Sequence, residues 1–378
     1  MIKILLLIFV LSITNLTTGK YDVYLERVNQ QRSFVSKLKS ESDYDYNYNP
    51  GYAPLHHPDT KMPYADGLFV RTQNKDPSSE DPFKVDKCFI TLIKPKNNFI
   101  IKDLNNIEFE HNTESKIILE PEGELETYGV EDPRVVYREK DGFYYMFYSA
   151  VQDKTPDTNL TSRLRMAKTR TPEIKSSWQR SPILFPNLGW TKSGALLLRE
   201  EEGQQHYLYF GDSNISIAVS TDLDEYIVKK KDWITPRKDY FDSQLVESGP
   251  APFVLQDGNY FFIYNSAQEG HPCPKEGYAR QYNVGWVVLD KNDPEVILQR
   301  SEVPILTPQL DWEKGAGDKL CLVCNVTFVE GGFPLGGDKF LLFYGASDAV
   351  IGAAVVSVIK REEGVYESNV EGLRKREF

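Results

Sequence analysis

The chain has 378 residues, with 44 Lys and Arg against 55 Asp and Glu, a net charge of −11, and 22 Tyr, 20 Phe and 5 Trp. An acid excess of this size argues against a nucleic-acid partner or an anionic membrane surface, since both need a basic face. It suits a neutral ligand, and the aromatic residues offer flat faces of the kind that stack on sugar rings, although Tyr and Phe are equally good strand formers.

In chain order, Lys3 precedes a short apolar run from Ile4 to Leu11, and small and polar residues follow at Thr17-Thr18-Gly19. A membrane-spanning helix needs about 20 apolar residues, so residues 1–19 read as a signal peptide. The mature protein is then expected to be secreted, or to occupy the lumen of the secretory or endolysosomal pathway, free of the membrane. Sequons at Asn159, Asn214 and Asn325 fit a glycoprotein, with Asn325 expected to be buried and unmodified inside an apolar run. Residues 20–60 read as a polar, irregular leader lying on the surface, residues 61–360 as the folded domain, and residues 361–378 as a charged tail.

From about residue 64 a unit recurs, and its aromatic second strand is the clearest signal. It reads Phe143-Tyr144-Tyr145-Met146-Phe147-Tyr148-Ser149-Ala150, then His206-Tyr207-Leu208-Tyr209-Phe210, Tyr260-Phe261-Phe262-Ile263-Tyr264-Asn265 and Phe340-Leu341-Leu342-Phe343-Tyr344-Gly345. Asp-Gly turns before two of these strands are hairpin signals. A further apolar strand follows each copy, and Gly67–Arg71 with Cys88–Ile93 supplies a fifth unit. Repeats of this kind with few helical patterns predict an all-β fold, a five-bladed β-propeller; a β-sandwich leaves the repeat unexplained.

Four cysteines are present, Cys88, Cys273, Cys321 and Cys324. No second Cys/His pair accompanies Cys321-x-x-Cys324, so no metal site is expected, and the histidines share no metal-ligand spacing. The run from Leu320 to Val326 reads as a strand, which would point Cys321 and Cys324 to opposite faces. A disulfide therefore joins Cys321 or Cys324 to Cys88 or Cys273.

The inner strands of a propeller line a channel, so polar residues at blade starts are the candidates for chemistry. Tyr128-Gly129-Val130-Glu131-Asp132-Pro133-Arg134 sets two carboxylates and an Arg around a Pro that keeps Asp132 out of helix. A neighbouring carboxylate raises the proton affinity of Asp132 and Arg134 lowers it. Glu247 in Glu247-Ser248-Gly249-Pro250 and Asp348 in Gly345-Ala346-Ser347-Asp348 are similar. Taken singly, each is an ordinary turn with a surface ion pair.

Together, Glu131-Asp132-Pro133-Arg134, Ser248-Gly249-Pro250-Ala251-Pro252 and Tyr344-Gly345-Ala346-Ser347-Asp348 resemble glycoside hydrolase family 130. Lys192-Ser193-Gly194-Ala195 and Ile217–Leu223 match weaker family segments, and the similarity runs from about Gly67 to Val358. The resemblance implies a five-bladed propeller that acts on β-mannosides as a phosphorylase or hydrolase, inverting the anomeric carbon by single displacement. It implies that Asp132 is the proton donor. Phosphorylases of the family carry Arg, Lys and His for phosphate; those positions correspond here to Lys192, Leu245 and Asn265, and Glu247 replaces a small residue. A carboxylate repels phosphate and accepts a proton from water.

The expected function is accordingly a secreted, inverting β-mannoside hydrolase, with Asp132 as acid and Glu247 as base. Arg71, Tyr128, Glu131, Arg134, Lys192, Asn265 and Asp348 are expected to bind an oligosaccharide or glycan substrate, with no cofactor. The alternatives are a β-mannoside phosphorylase and a non-catalytic sugar-binding propeller. A propeller glycosidase for arabinosides or fructosides would need a third acid, for which Asp66 is available.

Overall fold

The computed structural model describes residues 20–361 except 29, 31–32, 34–43, 82, 103, 105–116, 154–159, 274, 276 and 316–320. The segment expected to be a signal peptide, most of the charged tail, Asn159, His111 and the middle of the expected leader lie outside the described residues.

Strand β1 (Tyr21–Arg27) comes first, and the chain then builds five antiparallel sheets in sequence. The first comprises β2 (Tyr46–His56), β3 (Pro63–Gln73), β4 (Phe89–Ile93) and β5 (Ile117–Leu119). The second is β6 (Gly129–Arg138), β7 (Phe143–Gln152), β8 (Thr161–Thr169) and β9 (Gln179–Arg180). The third is β10 (Ala195–Leu197), β11 (His206–Phe210), β12 (Ile215–Ser220) and β13 (Ile227–Ile234). The fourth holds β14 (Leu245–Ser248), β15 (Phe253–Val254), β16 (Tyr260–Glu269), β17 (Arg280–Leu289) and β18 (Ile297–Arg300). The fifth is β19 (Thr327–Gly336), β20 (Lys339–Ala346) and β21 (Val350–Lys360), completed by β1 at its outer edge. The sole α-helix among the described residues, α1 (Asp311–Lys314), is a single turn.

The architecture is the expected five-bladed propeller. The four aromatic strands read from the sequence are β7, β11, β16 and β20, each the second strand of its blade. Their interiors are buried because both faces of a blade pack against a neighbouring blade. That double burial is why they read as continuous apolar runs.

Two expectations are corrected. Tyr21–Arg27 and Tyr46–His56, expected to belong to an irregular leader, are strands. β1 pairs with β21 along its whole length, from Tyr21 opposite Lys360 to Arg27 opposite Ala354, and so closes the ring. β2 is the inner strand of the first blade, with Tyr46, Asn47, Tyr48 and Asn49 all buried. The propeller thus runs from β1 to β21, residues 21–360. The signal overlooked is the alternation of Tyr44, Tyr46 and Tyr48, a period of two hidden among Asp and Asn.

The second correction concerns Cys321–Val326, which is not a strand; the segment bends ahead of β19, and Asn325 takes φ +57°. The Cys321 and Cys324 sulfurs consequently lie 3.2 Å apart rather than on opposite faces. Cys324 is bonded to Cys273, one of the expected pairings, while Cys88 and Cys321 are free and buried. Asn325 is half-buried, its amide donating to the Pro272 carbonyl.

Candidate active site

Five inner strands converge on one polar cluster, and local backbone irregularity aims the side chains into it. In β6, Glu131 pairs with Ser149 and Arg134 with Phe147, so Asp132 and Pro133 together oppose Tyr148. In β2, Tyr48 pairs with Arg71 and Pro50 with Val70, leaving Asn49 as the extra residue. In β19, Val329 pairs with Tyr344 and Gly331 with Phe343, leaving Glu330 extra. A β-bulge of this kind re-aims a side chain that regular pleating would send elsewhere. Asn49 and Asp132 also adopt left-handed backbone, with φ +48° and +54°, as does Ser193 at +61°. Non-glycine residues rarely sit there, and such strain concentrates at functional sites.

The inner strands are packed too tightly for side chains at certain positions. A Cβ on Gly51 would lie 2.3 Å from the Pro133 carbonyl oxygen, and one on Gly331 would lie 2.5 Å from that of Pro50. These contacts link β2 to β6 and β19 to β2, which fixes the bulged residues relative to one another.

Asp132 is almost fully enclosed, 2% exposed. Its Oδ1 accepts hydrogen bonds from Arg71 Nη1 and Asn49 Nδ2, both at 3.0 Å. Its Oδ2 lies 3.6 Å from Lys192 Nζ. Arg71 Nη2 also donates to Glu131 Oε1 at 2.7 Å, and its guanidinium lies 4.8 Å from the centre of the Tyr48 ring. The Cys88 thiol donates to the same Glu131 oxygen at 3.1 Å. Lys192 Nζ reaches Glu247 Oε1 at 3.1 Å, and the Ser193 hydroxyl donates to that oxygen as well.

The two central acids are driven in opposite directions. Burial pushes Asp132 up, but the charges of Arg71, Lys192 and Arg134 and the Asn49 hydrogen bond outweigh it, holding the carboxyl well below the usual carboxylate range. Burial pushes Glu247 up to about 7, with Asp212 adding to the effect and Lys192 and Arg134 opposing it. In the free protein Glu247 therefore holds a proton more readily than Asp132 does. The order arises because the cations of three blades converge on Asp132.

Arg134 is buried and organises the backbone around the acids. Nε donates to Gly249 O at 3.0 Å, Nη2 to Ser248 O at 2.7 Å and Nη1 to Asp132 O at 3.1 Å. It is thus a backbone staple rather than a group open to a sugar. Burial pushes Asp348 up to about 6 against the pull of Arg71, and its φ of +49° turns it toward the same cluster. Tyr128 is half-buried near Glu131 and Cys88, its phenol pushed up to about 12 chiefly by burial.

Asn265 does not fit the expected sugar-binding role. Its Nδ2 donates to Val329 O at 2.9 Å and its Oδ1 accepts from Val329 N at 2.7 Å. Both halves of the amide serve to tie β16 to β19. Asn49, Ser193 and Glu330 were missed from the sequence. Asn49-Pro50-Gly51, Asp132-Pro133-Arg134, Ser193-Gly194-Ala195 and Glu330-Gly331-Gly332 share a polar residue followed by Pro or Gly at a blade start, and that spacing could have found them. Trp190 was missed too: it is 46% exposed, and its indole N–H donates to Asp212 at 3.0 Å. Asp66 serves the first blade, accepting from Tyr52 and from the Ile100 amide. No cluster of metal-ligating side chains occurs among the described residues.

The five blades bring carboxyls and cations together around one channel. A family model described as beta-1,4-mannooligosaccharide phosphorylase matches residues 96–362, and the chain belongs to that family, glycoside hydrolase family 130. A 1,2-beta-oligomannan phosphorylase from Thermoanaerobacter sp. (strain X514) is 31% identical over 245 residues, 64% of this chain and 73% of that protein. The fold matches beta-1,2-mannobiose phosphorylase from Listeria innocua, solved with beta-1,2-mannobiose, at a TM-score of 0.66 and 20% identity over 90% of this chain and 97% of that one. A second match has a TM-score of 0.64 at 22% identity, covering 87% of this chain and 90% of that one. It comes from a study describing glycoside hydrolases within the GH130 mannoside phosphorylases that target beta-1,2 mannosidic linkages in Candida mannan. Action on β-mannosides is thereby established at the level of the family. The names of the family model and of the Thermoanaerobacter relative back the phosphorylase alternative better than the hydrolase put first from the sequence.

Proposed function

We propose that this protein cleaves β-1,2-linked mannosides with inversion and transfers the mannosyl group to inorganic phosphate. The linkage and the acceptor follow the names of the relatives. The observation that carries the reading is the placement of Lys192 between the two central acids, 3.6 Å from Asp132 and 3.1 Å from Glu247. A phosphate oxygen drawn to Lys192 would attack the anomeric carbon from the face opposite the leaving oxygen. As the C1–O bond breaks, the leaving oxygen takes a proton from Asp132, directly or through a sugar hydroxyl, and α-mannose 1-phosphate forms. Oδ2 is the Asp132 oxygen suited to this, because Oδ1 is occupied by Arg71 and Asn49. Asp132 must first gain a proton. Phosphate at Lys192 would neutralise one of the cations that hold it ionised and so raise its proton affinity.

Hydrolysis is the second reading, favoured by Glu247. Its carboxyl already pairs with Lys192; once ionised it competes with phosphate for that cation and is suited to accept a proton from attacking water. Secretion, supported by the apolar run at residues 4–11, puts the enzyme outside the cytosol in either case.

Product analysis on β-1,2-mannobiose with and without phosphate tests both. Mannose 1-phosphate formed only when phosphate is present is the expected result. Free mannose alone, equal in both buffers, would overturn phosphorolysis in favour of Glu247-assisted hydrolysis. No product in either buffer would sink both.

A further inference from the structure

Glu330 is the third bulged residue of the channel and the one without an evident task. It lies on β19 between Val329 and Gly331, is 1% exposed, and points at the cluster formed by the other four blades. Its Oε1 is 3.3 Å from Arg134 Nη2. That contact is an ion pair without hydrogen-bond geometry, and neither Glu330 oxygen meets a hydrogen-bond donor among the described residues. Enclosing a carboxyl this way is unfavourable, and an apolar side chain would fill the space at less cost. The surrounding backbone nevertheless holds it in place: Asn265 clamps Val329 through both its N–H and its C=O, and Gly331 lets β19 press against Pro50.

What Glu330 touches indicates what it does. The Arg134 guanidinium joins the carbonyl of Asp132 to those of Ser248 and Gly249, the two residues that follow Glu247. The relative placement of the two central acids therefore runs through this one side chain, and Glu330 is the carboxyl placed against it. We propose that Glu330 is a positioning residue for the cleavage step, acting through Arg134 on the placement of Asp132 against Glu247; this rests on the function proposed above. The groups facing it are Arg134 and Asp132 from β6, Glu247 from β14 and Lys192 from the segment before β10. Burial is the largest influence and pushes Glu330 well above the usual carboxylate range, with Asp132 and Glu247 adding to it and Arg134 and Lys192 opposing.

The test is steady-state kinetics of wild type, E330Q and E330D on β-1,2-mannobiose across pH, with phosphate present and absent. Misplacing a reacting group by about 1 Å costs on the order of 100-fold in rate. E330Q is expected to lose about 10- to 100-fold in kcat while KM changes less than about threefold, the pattern of an interaction that matters in the transition state. A loosened Arg134 depresses Asp132 less, so the limb of the kcat profile set by Asp132 should move to higher pH. E330D keeps the acid and should recover part of kcat; if E330Q does not fold, a lowered kcat with retained KM in E330D is the supporting result. Wild-type kcat and pH profile in E330Q, or a loss confined to thermal stability, would overturn the role of Glu330 alone. Absence of turnover by the wild type in both buffers would overturn the proposed function and this proposal together.

Discussion

Asp132 accepts two hydrogen bonds on one oxygen and faces Lys192 with the other, whereas Glu247 meets Lys192 and the Ser193 hydroxyl on a single oxygen. Their titrations consequently act on stability in opposite senses. The folded-state proton affinity of Asp132 lies below its ordinary value, so its contribution is present above about pH 4 and lost as pH falls. Glu247 titrates near 7 in the folded protein, against about 4.3 when unfolded. Its contribution is complete below about pH 4.3 and is lost as pH rises through 7. E247Q should therefore show a flatter dependence of unfolding free energy on pH between those limits, by on the order of 3 kcal/mol. Urea unfolding at a series of pH values reads this directly, and a curve parallel to wild type would contradict the assignment. D132N should fold, yet lose ~10²–10⁴ in turnover as a missing proton donor does; kcat alongside a melting curve separates the two effects. These residues illustrate how far sequence reaches at this scale. Glu131-Asp132-Pro133-Arg134 was legible as a motif, but which acid keeps its proton depends on Arg71 and Lys192, 61 and 60 positions away in the chain, and on burial.

At the scale of elements, three blades repeat one internal device. A tyrosine from the aromatic second strand donates to a buried carboxylate that arginines from the outer strands or a neighbouring loop neutralise. In the second blade Tyr148 meets Glu126 at 2.9 Å, with Arg165 at 2.7 Å and Arg180 on the other oxygen. In the fourth, Tyr264 meets Asp242 at 2.8 Å, with Arg300 at 2.6 Å and Arg237 at 2.8 Å. In the fifth, Tyr344 meets Glu313 of α1 at 2.8 Å, and Arg27 of β1 grips both carboxylate oxygens at 2.7 and 2.9 Å. Glycine makes room for two of these rings: a Cβ on Gly285 would sit 2.4 Å from the Tyr264 ring, and one on Gly352 would sit 2.3 Å from that of Tyr344. Breaking a buried ion pair by removing one partner costs about 3–5 kcal/mol, so E126Q and D242N should each destabilise by that order in urea unfolding. Y264F removes one hydrogen bond and should cost only about 1 kcal/mol. A loss of less than about 1 kcal/mol in D242N would show that the cluster is not a clamp. The aromatic strands were evident in the sequence because their burial writes a continuous apolar pattern. Their partners were not, since Asp242 and Arg300 carry no local sign of meeting.

The whole molecule is a ring closed by its two ends. β1 supplies the outer edge of the last blade and brings Arg27 to Glu313, so that blade is stitched from residues 21–27 and 327–360. Removing residues 20–28 should expose the edge of β21 and lower the melting temperature, with proteolysis beginning in β21. R27M breaks the same ion pair without removing the ladder and should cost about 3–5 kcal/mol. Unchanged melting in the truncated protein would show that the fifth blade is stable without closure. The sequence by itself determined the class of fold, the number of blades and the aromatic second strand of four of them, because double burial of a strand and the turns between strands are local patterns. It also determined the family, through short motifs at blade starts. Only the tertiary structure decided that the polar stretch from Tyr46 to Asn49 is an inner strand, that Asn265 ties two blades together, and that Glu247 is pushed to hold a proton more readily than Asp132. The channel is built from five inner strands that begin some 50 to 80 residues apart, and its electrostatics exist only once the ring has closed.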